Sequence, residues 1–263
     1  MDFKKIFLQI SCIFGLIFSL MSCSQEKLLF YPEKLSSNYR FSFDNKFREL
    51  SIQVDKKTHL NGLLFKTNHS KGLIFYLHGN AGSIDSWGSI NDLYLKNNYD
   101  FFILDYRGYG KSEGHISSEK QLHQDIQIAY DSLKLLYDEK NIIIIGYSIG
   151  TGLATRLAST NNPKLLILKA PYYNLPDLAH QYIKLIPSFL IRYKLKTNEY
   201  IKRVKCSIVI FHGDQDEVIY TGSSYKLKEL FKAGDRLIIL KGQKHNGIND
   251  NPTYILELKR LLE

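Results

Sequence analysis

From about residue 49 the chain is punctuated by short, almost wholly apolar runs: Leu73–Leu77, Phe101–Leu104, Ile142–Ile145, Leu165–Leu168, Ile208–Phe211 and Leu237–Leu240. Runs of this length without alternation suit strands buried on both faces of a parallel sheet. Leu50–Val54 and Leu60–Phe65 also read as strands, the second interrupted by Asn61-Gly62, and an antiparallel pair is expected there. Amphipathic stretches long enough for helices lie between the runs: Ser86–Lys96, Ser118–Tyr137, Thr151–Ser159, Ser223–Lys232 and Thr253–Leu262. Alternating strands and helices imply right-handed crossovers and an α/β, doubly wound sheet. Ligands of such sheets bind beyond the carboxyl ends of the strands, so chemistry should follow the apolar runs.

The first residues break this pattern. Met1–Lys5 holds two lysines, and Ile6–Met21 follows without a charge. That is the layout of a secretory leader, and it is short for a membrane-spanning helix. The run ends Leu20-Met21-Ser22-Cys23, which resembles the lipobox of bacterial lipoproteins. The resemblance implies cleavage after residue 22, acylation of Cys23 and a membrane-anchored protein of the bacterial cell envelope. An uncleaved anchor, or an ordinary leader with an incidental Cys23, are the other readings.

Composition changes the picture little. The chain has 263 residues, 44% of them apolar and 23% charged, which is ordinary globular usage and room for one domain. Net charge is +9; removing residues 1–22, which carry Asp2, Lys4 and Lys5, leaves +8. The lysines are dispersed, so a solvated surface or proximity to anionic lipid fits better than nucleic-acid binding. Of three cysteines, Cys12 lies in the leader and Cys23 at the lipobox, so Cys206 has no partner and no disulfide framework exists. Cys206 opens an apolar run and reads as a small buried residue. No nucleotide fingerprint or metal-ligand spacing occurs, so no cofactor and no metal are expected.

The chemistry follows the strands. Ile142–Ile145 runs into Gly146-Tyr147-Ser148-Ile149-Gly150 and then into a helix candidate. A serine between two glycines at a strand-to-helix turn is a nucleophile elbow: the turn is too sharp for Cβ atoms at its flanks, and it exposes the serine oxygen. The following helix N-terminus adds positive dipole where an oxyanion would form. Leu73–Leu77 leads into His78-Gly79-Asn80-Ala81-Gly82, and Leu104-Asp105-Tyr106-Arg107-Gly108-Tyr109-Gly110-Lys111-Ser112 follows the next run. Ile208–Phe211 ends in His212-Gly213-Asp214-Gln215-Asp216, and Leu237–Leu240 ends in Gly242-Gln243-Lys244-His245.

These motifs, taken together over residues 27 to 263, resemble the α/β-hydrolase superfamily, and in particular a subgroup with the H-G-N-A-G loop that includes esterases, monoacylglycerol lipases and depalmitoylating thioesterases. The resemblance implies an α/β-hydrolase fold: a mostly parallel central sheet flanked by helices, with a small helical cap. It implies a leader at 1–22, a lead segment at 23–48 and a hydrolase domain at 49–263 with its cap at about 171–205. Ser148, Asp216 and His245 would be the catalytic triad, in the family's chain order, with the backbone N–H groups of Asn80 and Ile149 as oxyanion donors. Asp214 competes with Asp216 as the acid. His78 is read as a structural residue of its loop, and Asp105 and Arg107 as an ion pair that orders theirs. His59, His69, His115, His123, His180 and His212 are read as surface or packing residues.

The expected activity is serine hydrolysis of a small carboxylic ester or thioester, with the membrane reached through the lipid on Cys23. A peptidase or amidase on the same fold, or a non-catalytic surface lipoprotein, are the competing readings, since fold alone does not prove function. The apolar residues of the cap, Tyr172, Tyr173, Tyr182, Ile183, Leu185, Ile186, Phe189, Leu190 and Ile191, are expected to pack on the sheet, with any surplus lining an acyl pocket.

Overall fold

The apolar runs become neighbours in one eight-stranded sheet. A computed structural model describes residues 25–263. The leader expected at 1–22 and the lipidation expected at Cys23 lie outside the described residues. The strands are β1 (Tyr31–Pro32), β2 (Phe47–Asp55), β3 (Thr58–Phe65), β4 (Leu73–Leu77), β5 (Ala81–Gly82), β6 (Asp100–Leu104), β7 (Ile142–Tyr147), β8 (Leu165–Lys169), β9 (Ser207–Gly213) and β10 (Arg236–Leu240). The helices are α1 (Gln25–Leu29), α2 (Ile84–Trp87), α3 (Asn91–Leu95), α4 (Glu119–Lys134), α5 (Gly150–Ala158), α6 (Leu175–Tyr182), α7 (Thr197–Tyr200), α8 (Gly222–Lys228) and α9 (Pro252–Leu262).

Across the main sheet the order is β10-β9-β8-β7-β4-β6-β3-β2. Every pairing from β6 to β10 is parallel, while β3 runs antiparallel to both β2 and β6. This is the α/β-hydrolase fold. The two faces of each central strand feed two separate cores. Leu73, Phe75 and Leu77 of β4 pack with α4 and α5, while Ile74 and Tyr76 pack with α3 and α9. Strict alternation from strands that are apolar throughout is what a sheet covered on both sides requires.

Three details depart from the sequence reading. Asn61-Gly62 does not interrupt β3: both residues stay in register opposite β2, with the irregularity lying between Gln53 and Asp55. The stretch read as one helix over Ser86–Lys96 is α2, a 3-10 turn at Gly88–Ile90 and α3. β10 is the sheet edge, and only Leu240 of it is fully buried.

α4 shows how pattern becomes packing. Ser118 caps its start by accepting from the Gln121 N–H at 3.1 Å. Leu122, Ile126, Ala129, Tyr130 and Leu133 then line its buried face at helical spacing. Burying each large member stabilises by about 1.5–3 kcal/mol, so Leu122→Asp would break this face first.

Two segments frame the carboxyl ends of the strands. The lead segment stitches two loops together: β1 pairs in parallel with β5, Lys34 bridges to Gly110, and Ser83 Oγ donates to Glu33 at 2.8 Å. Between β8 and β9 the chain forms α6, a 3-10 turn at Ser188–Leu190, α7 and a second 3-10 turn at Ile201–Arg203. Asn174 caps α6 by accepting from the Asp177 N–H at 2.7 Å. The apolar residues of this segment divide. Tyr172 and Ile191 are buried, whereas Tyr182, Ile183, Leu185 and Phe189 are exposed. The last four therefore stand on the surface instead of lining an enclosed pocket.

Candidate active site

β7 and α5 are joined by a turn that leaves room for nothing but backbone. A Cβ on Gly146 would stand 2.5 Å from the Gly150 carbonyl oxygen, and one on Gly150 would stand 2.2 Å from that of Leu77. Ser148, between them, has φ +53, a left-handed conformation that costs an ordinary residue on the order of 1–3 kcal/mol. Two hydrogen bonds hold it there: its N–H donates to the Lys169 carbonyl at 3.0 Å, and its own carbonyl accepts from Thr151 N–H at 2.9 Å.

The loop after β10 brings His245 to this serine, with Nε2 3.1 Å from Ser148 Oγ. Its Nδ1 lies 2.7 Å from Asp216 Oδ2, on the loop after β9. Tyr147 anchors the same loop by donating its hydroxyl to the His245 carbonyl. Asp216 is the more constrained partner. Its Oδ1 accepts from the N–H groups of Val218 and Ile219, each at 2.8 Å, so one carboxylate closes its own turn and faces the histidine. Burial pushes its pKa up, but the hydrogen bonds from His212 and His245 outweigh burial and hold it well below the usual carboxylate range. Asp214 is exposed and accepts from Gly242 N–H at 2.7 Å, at the base of the His245 loop.

His212 is more than a packing residue. It is fully buried, with Nε2 3.2 Å from Asp216 Oδ2 and 2.8 Å from the Ile219 carbonyl, and Nδ1 2.6 Å from Ser224 Oγ. With a proton on Nε2 the ring donates toward Ile219 and Asp216, and Nδ1 accepts from the Ser224 hydroxyl. The signal in the sequence was its place four residues before Asp216 at the end of the same strand.

On the other side of Ser148, the Asn80 carbonyl accepts from Tyr31 N–H at 2.8 Å and from the Tyr109 hydroxyl at 2.7 Å. The Ile149 carbonyl accepts from the Tyr172 hydroxyl at 3.1 Å. Carbonyls pinned in this way fix the planes of the peptides in the two loops flanking Ser148. His78 lies beneath, fully buried, with Nδ1 2.7 Å from the Gly79 carbonyl.

The expected Asp105–Arg107 ion pair does not form. Arg107 binds Asp125 through Nε at 2.5 Å and Nη2 at 2.8 Å, and reaches Asp55 at 2.7 Å. Asp105 turns inward, accepting from Ile84 N–H at 2.9 Å and standing 3.7 Å from His78 Nε2. Burial raises the Asp105 carboxyl to about 8 and lowers the His78 imidazole to about 4. Both groups are mainly neutral at pH 7.

Lys169, at the end of β8, was invisible in the sequence because the apolar run stops just before it. It is fully buried, and Nζ donates to Asn249 Oδ1 at 2.7 Å and bonds Tyr76 Oη at 2.9 Å. The rings of Tyr76, Tyr147 and Tyr254 surround it at 4.6 to 5.3 Å. With no carboxylate among these neighbours, burial pushes its pKa well below the ordinary lysine value. Asn249 follows His245 on one loop, so the amine braces that loop from below. Cys206 is half-buried, and burial pushes its thiol up to about 11, which makes it a poor nucleophile. Among the described residues no group of three His, Cys, Asp or Glu side chains is placed to hold a metal.

A family model described as serine aminopeptidase, S33 (Hydrolase_4) matches residues 68–199. A putative α/β hydrolase of Acanthamoeba polyphaga mimivirus is 30% identical over 224 residues, covering 79% of this chain and 81% of the viral protein. The α/β hydrolase domain-containing protein 17C of Xenopus tropicalis is 30% identical over 205 residues, 73% of this chain; the chain spans 62% of that relative's length. A lysophosphatidylserine lipase of Danio rerio is 28% identical over 187 residues, 63% of this chain and 48% of the lipase. Among solved structures, an esterase of Pyrococcus furiosus superposes with a TM-score of 0.68 at 19% identity, covering 89% of this chain and 95% of the esterase.

Proposed function

The chain belongs to the α/β-hydrolase family, and from that premise we propose that it is a serine hydrolase that cleaves carboxylic esters or thioesters through an acyl-enzyme on Ser148. The observation that carries the reading is the unbroken chain Ser148 Oγ–His245–Asp216, with links of 3.1 and 2.7 Å, on a serine held at positive φ. His245 takes the proton as Ser148 Oγ attacks the acyl carbon, and Asp216 holds the ring and stabilises the imidazolium. Negative charge on the former carbonyl oxygen is met by the N–H groups of Asn80 and Ile149, donors that contribute roughly 3–4 kcal/mol each in comparable sites. Collapse of the tetrahedral intermediate expels the alcohol or thiol, which receives the proton from His245. Water then attacks the acyl-enzyme, with His245 again as base.

A lipid-ester substrate is supported by the lipase among the relatives, an amide by the family description that names an aminopeptidase. We place the protein at a membrane of the bacterial cell envelope, anchored through Cys23, on the strength of the lipobox-like Leu20–Cys23 sequence and the apolar run before it. The test is fluorophosphonate labelling of the full chain beside turnover of p-nitrophenyl esters from acetate to palmitate. Labelling lost in Ser148→Ala, with ester turnover lost alongside, is expected. A parent chain that neither labels nor turns over would make the protein a non-catalytic scaffold.

A further inference from the structure

The cap leaves its largest apolar side chains in water. Leu185 is 92% exposed, Phe189 77%, Tyr182 64% and Ile183 56%. The ridge they form is continuous with the candidate site at one end, where the Tyr182 hydroxyl donates to the Val218 carbonyl at 2.6 Å, two residues beyond Asp216. Val218 itself is half-exposed. At its other end the ridge meets the place where the described chain begins. Gln25 Nε2 donates to the Leu190 carbonyl at 2.6 Å, and Gln25 Oε1 accepts from Arg192 N–H at 2.8 Å. Leu28, three residues on and so on the same face of α1, is 58% exposed.

A tether fixes what covers this ridge. Gln25 is bonded to the cap beside Phe189, and Cys23 precedes it by two residues of chain, which span at most about 7 Å. We propose that the cap ridge, Tyr182, Ile183, Leu185 and Phe189, is a bilayer-docking surface that seats the mouth of the Ser148 site against the membrane. The proposal rests on the reading of Cys23 as a lipid anchor, because a lipid so close to Gln25 leaves the cap no room to face away from the bilayer. The net charge of +8 that remains once residues 1–22 are removed favours a lipid surface, anionic in character, over a protein partner. Lys27 and Lys184 are exposed beside Leu28 and Leu185, positioned for lipid headgroups.

The test uses the full chain produced in a bacterial host and reconstituted in vesicles of equal parts phosphatidylglycerol and phosphatidylcholine with brominated acyl chains, which quench indole fluorescence on contact. One variant carries Phe189→Trp, another Ile255→Trp on the exposed face of α9, and the parent supplies the background of Trp87, its one tryptophan. Docking is expected to blue-shift and quench the indole at position 189 while leaving that at 255 unchanged. Cosedimentation with the vesicles without quenching at 189 would overturn the docking and leave the anchor standing. A parent that fails to cosediment would overturn the anchor reading and the docking with it. Emission at 189 that is blue-shifted in the vesicles yet not quenched by the brominated chains would assign the ridge to a second copy of the chain and overturn the docking as well.

Discussion

Two buried His–Asp pairs sit at the carboxyl ends of the sheet, one on each side of Ser148, and their carboxyl groups differ in charge. His78 and Asp105 follow β4 and β6; His212 and Asp216 follow β9. All four side chains are fully buried. Asp216 is nevertheless ionised, while Asp105 holds its proton up to about pH 8. The difference is the number of donors. Asp216 is met by two backbone N–H groups and two imidazoles, whereas Asp105 accepts from Ile84 N–H alone, and its Oδ2 has no hydrogen-bond partner. Burial penalises the charged form of each, and only a full set of donors reverses the penalty. A negative charge beside His245 would stabilise an imidazolium during proton transfer, so under the proposed mechanism one pair serves the chemistry and the other the packing.

The largest effect should come from removing the charge on the donor-rich side. Asp216→Asn leaves the shape but allows His245 the wrong tautomer, and kcat for an activated ester should fall by roughly 10⁴. Asp214→Asn, whose exposed side chain accepts only from Gly242 N–H and touches neither Ser148 nor His245, should change kcat by less than about threefold, roughly 0.6 kcal/mol. Steady-state kinetics of the two variants decide the matter: an Asp214→Asn protein damaged as severely as Asp216→Asn would move the acid.

Next is the donor the sequence reading passed over. His212→Gln keeps a polar group but cannot reproduce both the Asp216 and Ser224 contacts. Loss of a hydrogen bond to a charged acceptor amounts to about 1.5–3 kcal/mol, which predicts a ten- to hundredfold fall in kcat with KM little changed. Unchanged kcat would show that His212 is packing after all.

What the sequence made legible follows from where the physics is local. Leu73–Leu77 could be read without error because a strand covered on both faces is apolar at every position. Gly146 and Gly150 could be read because a tight turn tolerates nothing else. Partnerships across the fold were not legible. Arg107 sits two residues from Asp105 and binds Asp55 and Asp125 instead, since only the packing of β2 and α4 decides which carboxylate faces it. The break at Gly88 was hidden for the same reason: a side chain there would meet the Phe43 ring at 2.5 Å, a contact made by a distant segment.

Lys169 extends the comparison to a cation. Its amine, like the carboxyl of Asp105, lacks an opposite charge and is driven toward neutrality. A lysine whose folded pKa lies below its ordinary 10.5 contributes least to stability at low pH, where the unfolded chain is protonated and the folded chain resists protonation. Lys169→Met, similar in length and apolar, should therefore raise Tm at pH 7, and its advantage should shrink as pH approaches 10. kcat should fall only severalfold, the scale of about 1 kcal/mol for the bond to Asn249 that braces the His245 loop. A Tm difference independent of pH would mean the buried amine is charged.

The smallest effect on activity, and the sharpest test of the contrast, is Asp105→Asn. If Asp105 is already protonated at pH 7, the substitution replaces one neutral group with another of nearly the same shape, and kcat at pH 7 should stay within about twofold, a difference of roughly 0.4 kcal/mol. The effect belongs in the pH dependence of stability. Asp105 has a folded pKa of about 8 against an ordinary 3.8, so between those values the folded chain binds a proton that the unfolded chain does not. Its contribution to stability is present below the lower value and is lost as pH rises toward 8, by up to about 1.4 kcal/mol per pH unit for a whole proton. His78 acts in the opposite sense. Its folded pKa of about 4 against 6.5 makes stability fall as pH drops through that interval. The two slopes oppose each other below pH 6.5; above it, of this pair, only Asp105 acts, and the slope from Lys169 is common to parent and variant and cancels in the comparison. Urea unfolding at pH 6.5, 7.0, 7.5 and 8.0 should accordingly show parent stability declining more steeply than that of Asp105→Asn. Parallel curves over this window would mean that Asp105 is ionised despite its single donor, and that counting donors does not explain why the two pairs differ.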